Sequence, residues 1–435
     1  MIAPEVLGVV IFFALLLLLA SGVWVSIALF GVGLAAIGLF TNGPAGLIAA
    51  TTSWGQSWSW ALTPLPLFVW MGEILFRTRL AADMFNGLAP WLHRLPGRLM
   101  HVNVLSCGIF AAVSGSSAAT TATIGRITIP ELTARGYDER MILGSLAGSA
   151  TLGLIIPPSI ILIVYGVAAD VSISRLFVAG VLPGLMLIVM FMSAIMVWSW
   201  RQDHHRERDE PTMSLAQKLR SSRRLVPVAL LIIGVIGSIY TGIATATEAA
   251  AVGVVGAFAI AAIYRELNWS SFVDSLVNAT LMSSMIAFIL AAAAFLSVAM
   301  GFTGVPQALV TWVRDLDLSP AALICALTVL YVLLGCFLDG ISIVVLTAAV
   351  ILPMIEAAGF DLIWFGIFLV IVVEMSQITP PIGLNLFVIQ SLTQRDILFI
   401  ARSALPAFFV LLAALVVLYL VPDIALLLPN NLFDH

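Results

Sequence analysis

The chain has 435 residues, of which 61% are hydrophobic and only 10% charged, and its formal net charge is −4. Soluble domains carry about 25% charged residues. The composition therefore excludes a soluble globular protein and predicts an all-α polytopic membrane protein whose solvent is the lipid bilayer.

In chain order, MIAPEVLGVVIFFALLLLLASG imitates a signal peptide. It lacks a basic leader and an apolar segment follows at once, so it reads as a retained first span at 4–20. Further spans are predicted at 23–41 and 59–76, with Trp54, Trp58 and Trp60 placed for an interfacial aromatic belt or a partner subunit. After Arg77 and Arg79 an amphipathic stretch runs to Arg98. Residues 99–130 are too long for one span and too polar at VSGSSAATTATIG (113–125) to face lipid. They read as a re-entrant helical hairpin, because non-helical backbone at membrane depth survives only inside protein or along a water-filled cavity. Residues 141–169 form a span broken at Pro157-Pro158, 176–200 return, and a polar loop fills 201–224. The second half runs 227–243, 246–264, 281–300, an amphipathic stretch 303–318, a second hairpin 320–355, a second Pro-Pro-broken span 362–391 and a last span 400–421. Thr245 to Glu248 has the form of a capping box, and Glu73 and Arg77 are spaced as an i,i+4 pair.

The two halves repeat. At one ungapped offset of 223, Pro4, Pro130, Pro157, Pro158 and Pro183 fall on Pro227, Pro353, Pro380, Pro381 and Pro406. Chance predicts about 0.5 such coincidences for this many prolines. A first repeat, 1–212, and a second, 213–435, follow. The spans then put seventeen of the 19 Lys and Arg on one side, with Arg175 and Arg314 opposite. By the positive-inside rule the rich side is cytoplasmic, which places the 201–224 loop in the cytoplasm and both termini in the periplasm. Span 59–76 then runs inward and 281–300 outward, so the repeats are inverted. Such repeats with broken helices mark secondary transporters, whose sites lie near the midplane at the repeat interface.

The hydroxyls of Ser114, Ser116, Ser117 and Thr120, with carbonyls freed around Gly115, offer hard oxygen ligands for a small cation such as Na⁺. A small-residue helix-packing face is the alternative. At the same offset Ser116 falls on Asp339 and Ser117 on Gly340. An Asp in an apolar hairpin is functional by default, unless it caps a helix at the membrane surface. Ser159 beside Pro157-Pro158, and Thr379 and Asn385 around Pro380-Pro381, are expected to face inward, where half-helix N-termini suit an anionic substrate; a plain kink is the other reading of one Pro-Pro. Ser117, Thr120, Pro158, Ser159 and Asn385 are the candidate substrate residues. Arg126 is placed either to pair with a substrate carboxylate or to snorkel to the cytoplasmic surface. Cys107, Cys325 and Cys336 suggest neither disulfides nor a metal site, and the His residues show no ligand spacing. Without a Walker loop, a dinucleotide fingerprint or a catalytic constellation, no nucleotide-driven pump, enzyme, cofactor or nucleic-acid partner is expected.

LFVWMGEI (67–74), PGRLMHVNVLSCGIFAAVSGSSAATTATIG (96–125), IPEL (129–132), GLIIPPS (153–159), TATEAAAVG (245–253), FLDG (337–340) and ITPPIGLNLFVI (378–389) together resemble the large permease subunit of tripartite ATP-independent periplasmic (TRAP) transporters, DctM-like, over essentially the whole chain. One departure is TAT before Glu248, where the family pattern is TPT; it touches a cap and no candidate site. The resemblance implies Na⁺-coupled, elevator-type uptake of an organic acid, such as a C4-dicarboxylate or sugar acid, across the bacterial inner membrane. It implies two partners, a small four-helix membrane subunit and a soluble periplasmic substrate-binding protein. It also implies one Na⁺ site at Ser114, Gly115 and Ser116 with Gly153 and Pro157, and another at Asp339 and Gly340 with Thr379, Pro380 and Pro381. A stand-alone Na⁺/carboxylate symporter of related architecture is the alternative.

Overall fold

The computed structural model describes residues 4–41, 43–201, 213–315, 318–381 and 383–433, which contain helices and no strand. Residues 202–212 of the expected cytoplasmic loop lie outside the described residues. Six described helices are long and apolar enough to cross a bilayer, and eight spans result if two bent pairs each count as one. The protein is a polytopic helical membrane protein.

The first half opens with α1 (Pro4–Ala20) and α2 (Val25–Phe40), close to the predicted spans. The expected single span 59–76 is instead a bent pair: α3 (Ala45–Ser57), a 3-10 turn at Trp60–Leu62 and α4 (Pro64–Phe76), turned by 53°. Pro64 and Pro66 explain the bend, since proline starts a helix readily but cannot continue one. Trp54, Trp58 and Trp60 at this bend are 76%, 84% and 80% exposed, so most of their surface faces away from the rest of the chain. An amphipathic α5 (Leu80–Leu92) leads to the hairpin of α6 (Met100–Ser114) and α7 (Ser117–Ala134). The predicted broken span is α8 (Glu139–Ala150), a short α9 (Leu152–Ile155) and α10 (Ile160–Ala168), bent by 44°. Helix α11 (Ile173–Arg201) ends the half.

The remainder of the expected 201–224 loop is not all loop. Ser214 and Gln217 form a capping box that starts α12 (Leu215–Ser222), a signal of the S-x-x-Q kind that the charge of the segment masks. Then come α13 (Val226–Tyr240) and α14 (Ala246–Ile263); at the start of α14, Thr245 N–H donates to Glu248 Oε2 at 2.8 Å and Glu248 N–H to Thr245 Oγ1 at 3.3 Å. Helix α15 (Trp269–Thr303) has 35 residues, far beyond the expected 281–300. That is about 52 Å of helix against about 30 Å of hydrocarbon. It is the counterpart of α3 and α4 at offset 223, where Ala287 and Ile289 stand in place of Pro64 and Pro66, so nothing interrupts it. Helix α16 (Val305–Asp315) precedes the second hairpin, α17 (Pro320–Gly335) and α18 (Gly340–Ala357). The second broken span is α19 (Leu362–Gln377) and α20 (Leu384–Thr393). Helix α21 (Ile397–Leu420) follows, then α22 (Asp423–Phe433), which no expected span covered.

Two sets of helices stand out in the packing, and they meet each other through α15 with α18 and α4 with α6. In one, α15 lies along α2, α3 and α4, with α14 against α4. Polar contacts fix it: Trp70 Nε1 donates to Ser275 Oγ at 3.2 Å, Asn278 Nδ2 to Glu73 Oε2 at 3.3 Å, and Arg79 Nε to Glu266 Oε1 at 3.0 Å. The expected Glu73–Arg77 pair is present at 3.6 Å. In the other group the hairpins and broken spans interlock, with α7 on α20, α10 on α18 and α8 on α21. Arg395 there makes a bidentate pair with Glu139 at 2.7 and 2.8 Å. Tyr165 Oη in α10 donates to the Leu362 carbonyl at the start of α19 at 2.6 Å, joining the halves in a buried spot. Tyr165→Phe removes this bridge between the halves, a net loss of about 0.5–1.5 kcal/mol. A lowered midpoint of thermal unfolding in detergent is expected, and an unchanged midpoint would contradict the packing described.

Candidate functional site

Each hairpin turns at a short non-helical tip, and each tip meets a Pro-Pro break. Gly115, at φ +58°, ends α6 in the left-handed conformation that glycine adopts freely. Ser116 caps α7, its Oγ accepting from Ala119 N–H at 3.3 Å. Ser114 Oγ and Thr120 Oγ1 are 2.9 Å apart, and Thr120 Oγ1 donates to the Ser116 carbonyl at 2.7 Å, so three of the predicted residues form one cluster. Ser114 and Thr120 are buried.

This tip lies against the first break. A Cβ on Gly115 would be 2.9 Å from the Pro158 carbonyl oxygen, and one on Gly153 would be 2.8 Å from the carbonyl of Ser116. The backbones touch with no room for a side chain at either glycine. Ser159 Oγ accepts from Leu162 N–H at 3.4 Å to cap α10 and donates to the Leu154 carbonyl at 2.5 Å, satisfying groups on both sides of the break. The structure thus brings Ser114, Gly115, Ser116 and Thr120 together with Gly153, Pro158 and Ser159. The Pro157-Pro158 and Pro380-Pro381 bonds are both cis.

The second tip follows the same plan with different chemistry. Asp339 caps α18, accepting from Ile341 N–H at 3.1 Å and Ser342 N–H at 3.3 Å, with the Ser342 hydroxyl also on its carboxylate. Capping was the alternative reading of Asp339, and it describes what the carboxylate does here. The tip reaches the second break through Cys336 Sγ, 3.3 Å from the Pro380 carbonyl. Thr379 Oγ1 turns back to the Met375 carbonyl at 2.7 Å, and no hydrogen bond joins it to Asp339 among the described residues. Gly340 packs against Val373 and, across the halves, Ile161.

The tips also cross over. Ser117, at the start of α7, donates to Glu374 Oε2 at 3.1 Å and accepts from Asn385 Nδ2 at 2.5 Å, both on the second half's broken span. All three are buried. Glu374 was missed in the sequence, although the rule applied to Asp339, an acid inside an apolar segment, picks it out equally from LIWFGIFLVIVVEMSQ. Arg126 does not join the cluster. It lies exposed on α7, nine residues past Ser117, which is about 13 Å along the helix. A cavity of about 730 Å³, lined by Gln56, Asp170, Ser172, Ser297 and Glu356 among others, opens beside the contact of α15 with α18; none of the candidate residues lines it.

The description "Tripartite ATP-independent periplasmic transporter, DctM component" matches residues 10–424. This chain belongs to the DctM family. It is 33% identical over 440 residues to the C4-dicarboxylate TRAP transporter large permease protein DctM of Rhodobacter capsulatus, covering 98% of this chain and 99% of that one. It is 30% identical over 375 residues to the ectoine TRAP transporter large permease protein TeaC of Halomonas elongata, with 86% and 87% covered. Its fold is that of the Alcanivorax borkumensis YdaH transporter, with a TM-score of 0.61 at 14% identity, over 96% of this chain and 98% of that one. Members of the DctM family are transporter permeases, and a multi-pass inner-membrane protein is what this chain's apolar helices form.

The close approach at Gly153 sets a steric test. Gly153→Ala drives a methyl into the Ser116 carbonyl, an overpacking that costs about 1–3 kcal/mol, whereas Gly237→Ala meets nothing closer than 3.8 Å. Thermal unfolding of the two variants is expected to show a loss for Gly153→Ala and none for Gly237→Ala. Equal midpoints would mean that the tip and break are not in contact.

Proposed function

We propose that this DctM-family permease carries an organic anion inward, coupled to Na⁺, by an elevator movement of the hairpin group against the α2–α4 and α14–α15 group. The observation that carries the reading is the meeting of each hairpin tip with a Pro-Pro break. It places loose carbonyls and hydroxyls, all hard oxygens, where an ion can organise them. Residues 1–212 and 213–435 act as inverted repeats, supported by the fall of α17, α18, α19 and α21 on α6, α7, α8–α9 and α11 at offset 223. One Na⁺ is held by Ser114, Gly115 and Ser116 with Gly153 and Pro157, and a second by Asp339 and Gly340 with Thr379, Pro380 and Pro381. Substrate rests on Ser117, Thr120, Pro158, Ser159 and Asn385, and Arg126 stays at the cytoplasmic surface. Both termini are periplasmic and the 201–224 loop is cytoplasmic.

An elevator needs binding to decide when the moving group may move. Without Na⁺ the tip carbonyls repel one another and the substrate surface is incomplete; with it, tip and break close into one surface. The 730 Å³ space beside the contact of α15 with α18 lies apart from these substrate residues, at the face where the two groups meet. The partners are a small membrane subunit and a periplasmic substrate-binding protein, as the word tripartite in the family description supports. The same family membership does not favour a stand-alone symporter. Relatives named for C4-dicarboxylate, for ectoine and for isethionate leave a small solute bearing an acidic group, carboxylate or sulfonate, as the shared chemistry.

Uptake of radiolabelled organic acids into proteoliposomes holding the chain with both partners tests this. Uptake is expected only with an inward Na⁺ gradient and only with the binding protein present, and Asp339→Asn is expected to lower it at least tenfold. Uptake that is indifferent to Na⁺ would overturn the coupling, and uptake by this chain alone would restore the stand-alone reading.

A further inference from the structure

The hairpin-tip sites leave one group unused. Glu374 lies in the middle of α19, 1% exposed, and Asn385 at the start of α20 is wholly buried. Hydrogen bonds between them run one way: Asn385 Nδ2 donates to Ser117 Oγ, and Ser117 Oγ donates to Glu374 Oε2. The one proton of the Ser117 hydroxyl is then used, and of the two N–H groups of Asn385 one is engaged. Two acceptors remain, Glu374 Oε1 and Asn385 Oδ1, buried with no hydrogen-bond partner. The carboxylate as a whole is held by Ser117 and by the backbone N–H of Leu154 at the first break, and among the described residues no Lys or Arg faces it.

A carboxylate buried without a counter-charge is costly, and a cation between the two unpaired acceptors offsets that cost while giving both a partner. One negative charge among neutral oxygens matches a monovalent cation better than a divalent one, and an all-oxygen set suits a hard ion. We propose that Glu374 Oε1, Asn385 Oδ1 and Ser117 Oγ form a further Na⁺ site, distinct from the two hairpin-tip sites. The inference rests on the Na⁺-coupled reading and adds a reason for it. Ser117 and Asn385 also belong to the substrate surface, so an ionised Glu374 repels an organic anion there until a cation neutralises it. An ion at this point also ties the first hairpin to α19 and α20, joining the two halves.

Equilibrium binding of radioactive sodium to the purified full chain in lipid nanodiscs tests the site. Glu374→Gln is expected to bind one Na⁺ fewer per chain than the wild type, and Asn385→Ser, which withdraws Oδ1, to show the same loss should Glu374→Gln not fold. Asn385→Asp, which keeps an oxygen and adds charge, is expected to retain the full number. An unchanged number in Glu374→Gln or Asn385→Ser would overturn this site and leave the hairpin-tip sites standing. A wild-type chain that binds no Na⁺ at all would instead overturn the coupled reading itself, and this site with it.

Discussion

A backbone carbonyl or amide released from a helix inside hydrocarbon has no water to turn to, and must find its partner within the protein. This chain releases such groups at four places, two hairpin tips and two Pro-Pro breaks, and much of its architecture follows from satisfying them. Ser116, Ser159 and Asp339 each cap the half-helix that begins at their break. Gly115 and Gly153 then let tip and break approach backbone to backbone, and small residues close the remaining gap. The first tip and break are buried against one another, whereas at the second, Phe337, Pro380 and Pro381 are exposed.

The same constraint accounts for the division of labour between the helix groups. The group with α15 contains the two capped helices α14 and α15 and the bent pair α3–α4, and is tied together through side chains such as Trp70, Asn278 and Arg79. The hairpin group holds the irregular backbone and interlocks across the halves, through Ser117 with Glu374 and Asn385, and through Tyr165 with Leu362.

Much of this was legible in the sequence because the relevant residues change the backbone itself. Pro157, Pro158, Pro380 and Pro381 mark breaks, Gly115 marks a turn, and the offset of 223 pairs them. The same logic, applied to Pro64 and Pro66, could have found the bend between α3 and α4; an apolar window alone made 59–76 look like one span. The true length of α15 was hidden because Trp269 to Thr280 is too polar to register as hydrocarbon-spanning, though Asn268 caps it. Helix α12 was masked by charge. Glu374 escaped notice because its partners, Ser117 and Asn385, lie 257 and 11 residues away in the chain, and only folding brings the three together. Side-chain direction at the tips, such as Asp339 bending onto its own helix, is likewise a property of packing that no spacing reveals.

The central claim is that Na⁺ organises the hairpin tips against the breaks. Hydrogen–deuterium exchange of the chain in nanodiscs, in Na⁺ and in K⁺ at equal ionic strength, addresses it most directly. The expected result is slower exchange in Na⁺ at the peptides covering residues 113–117 and 336–342, with α14 and α15 unchanged. Identical exchange at both tips in the two salts would contradict the account.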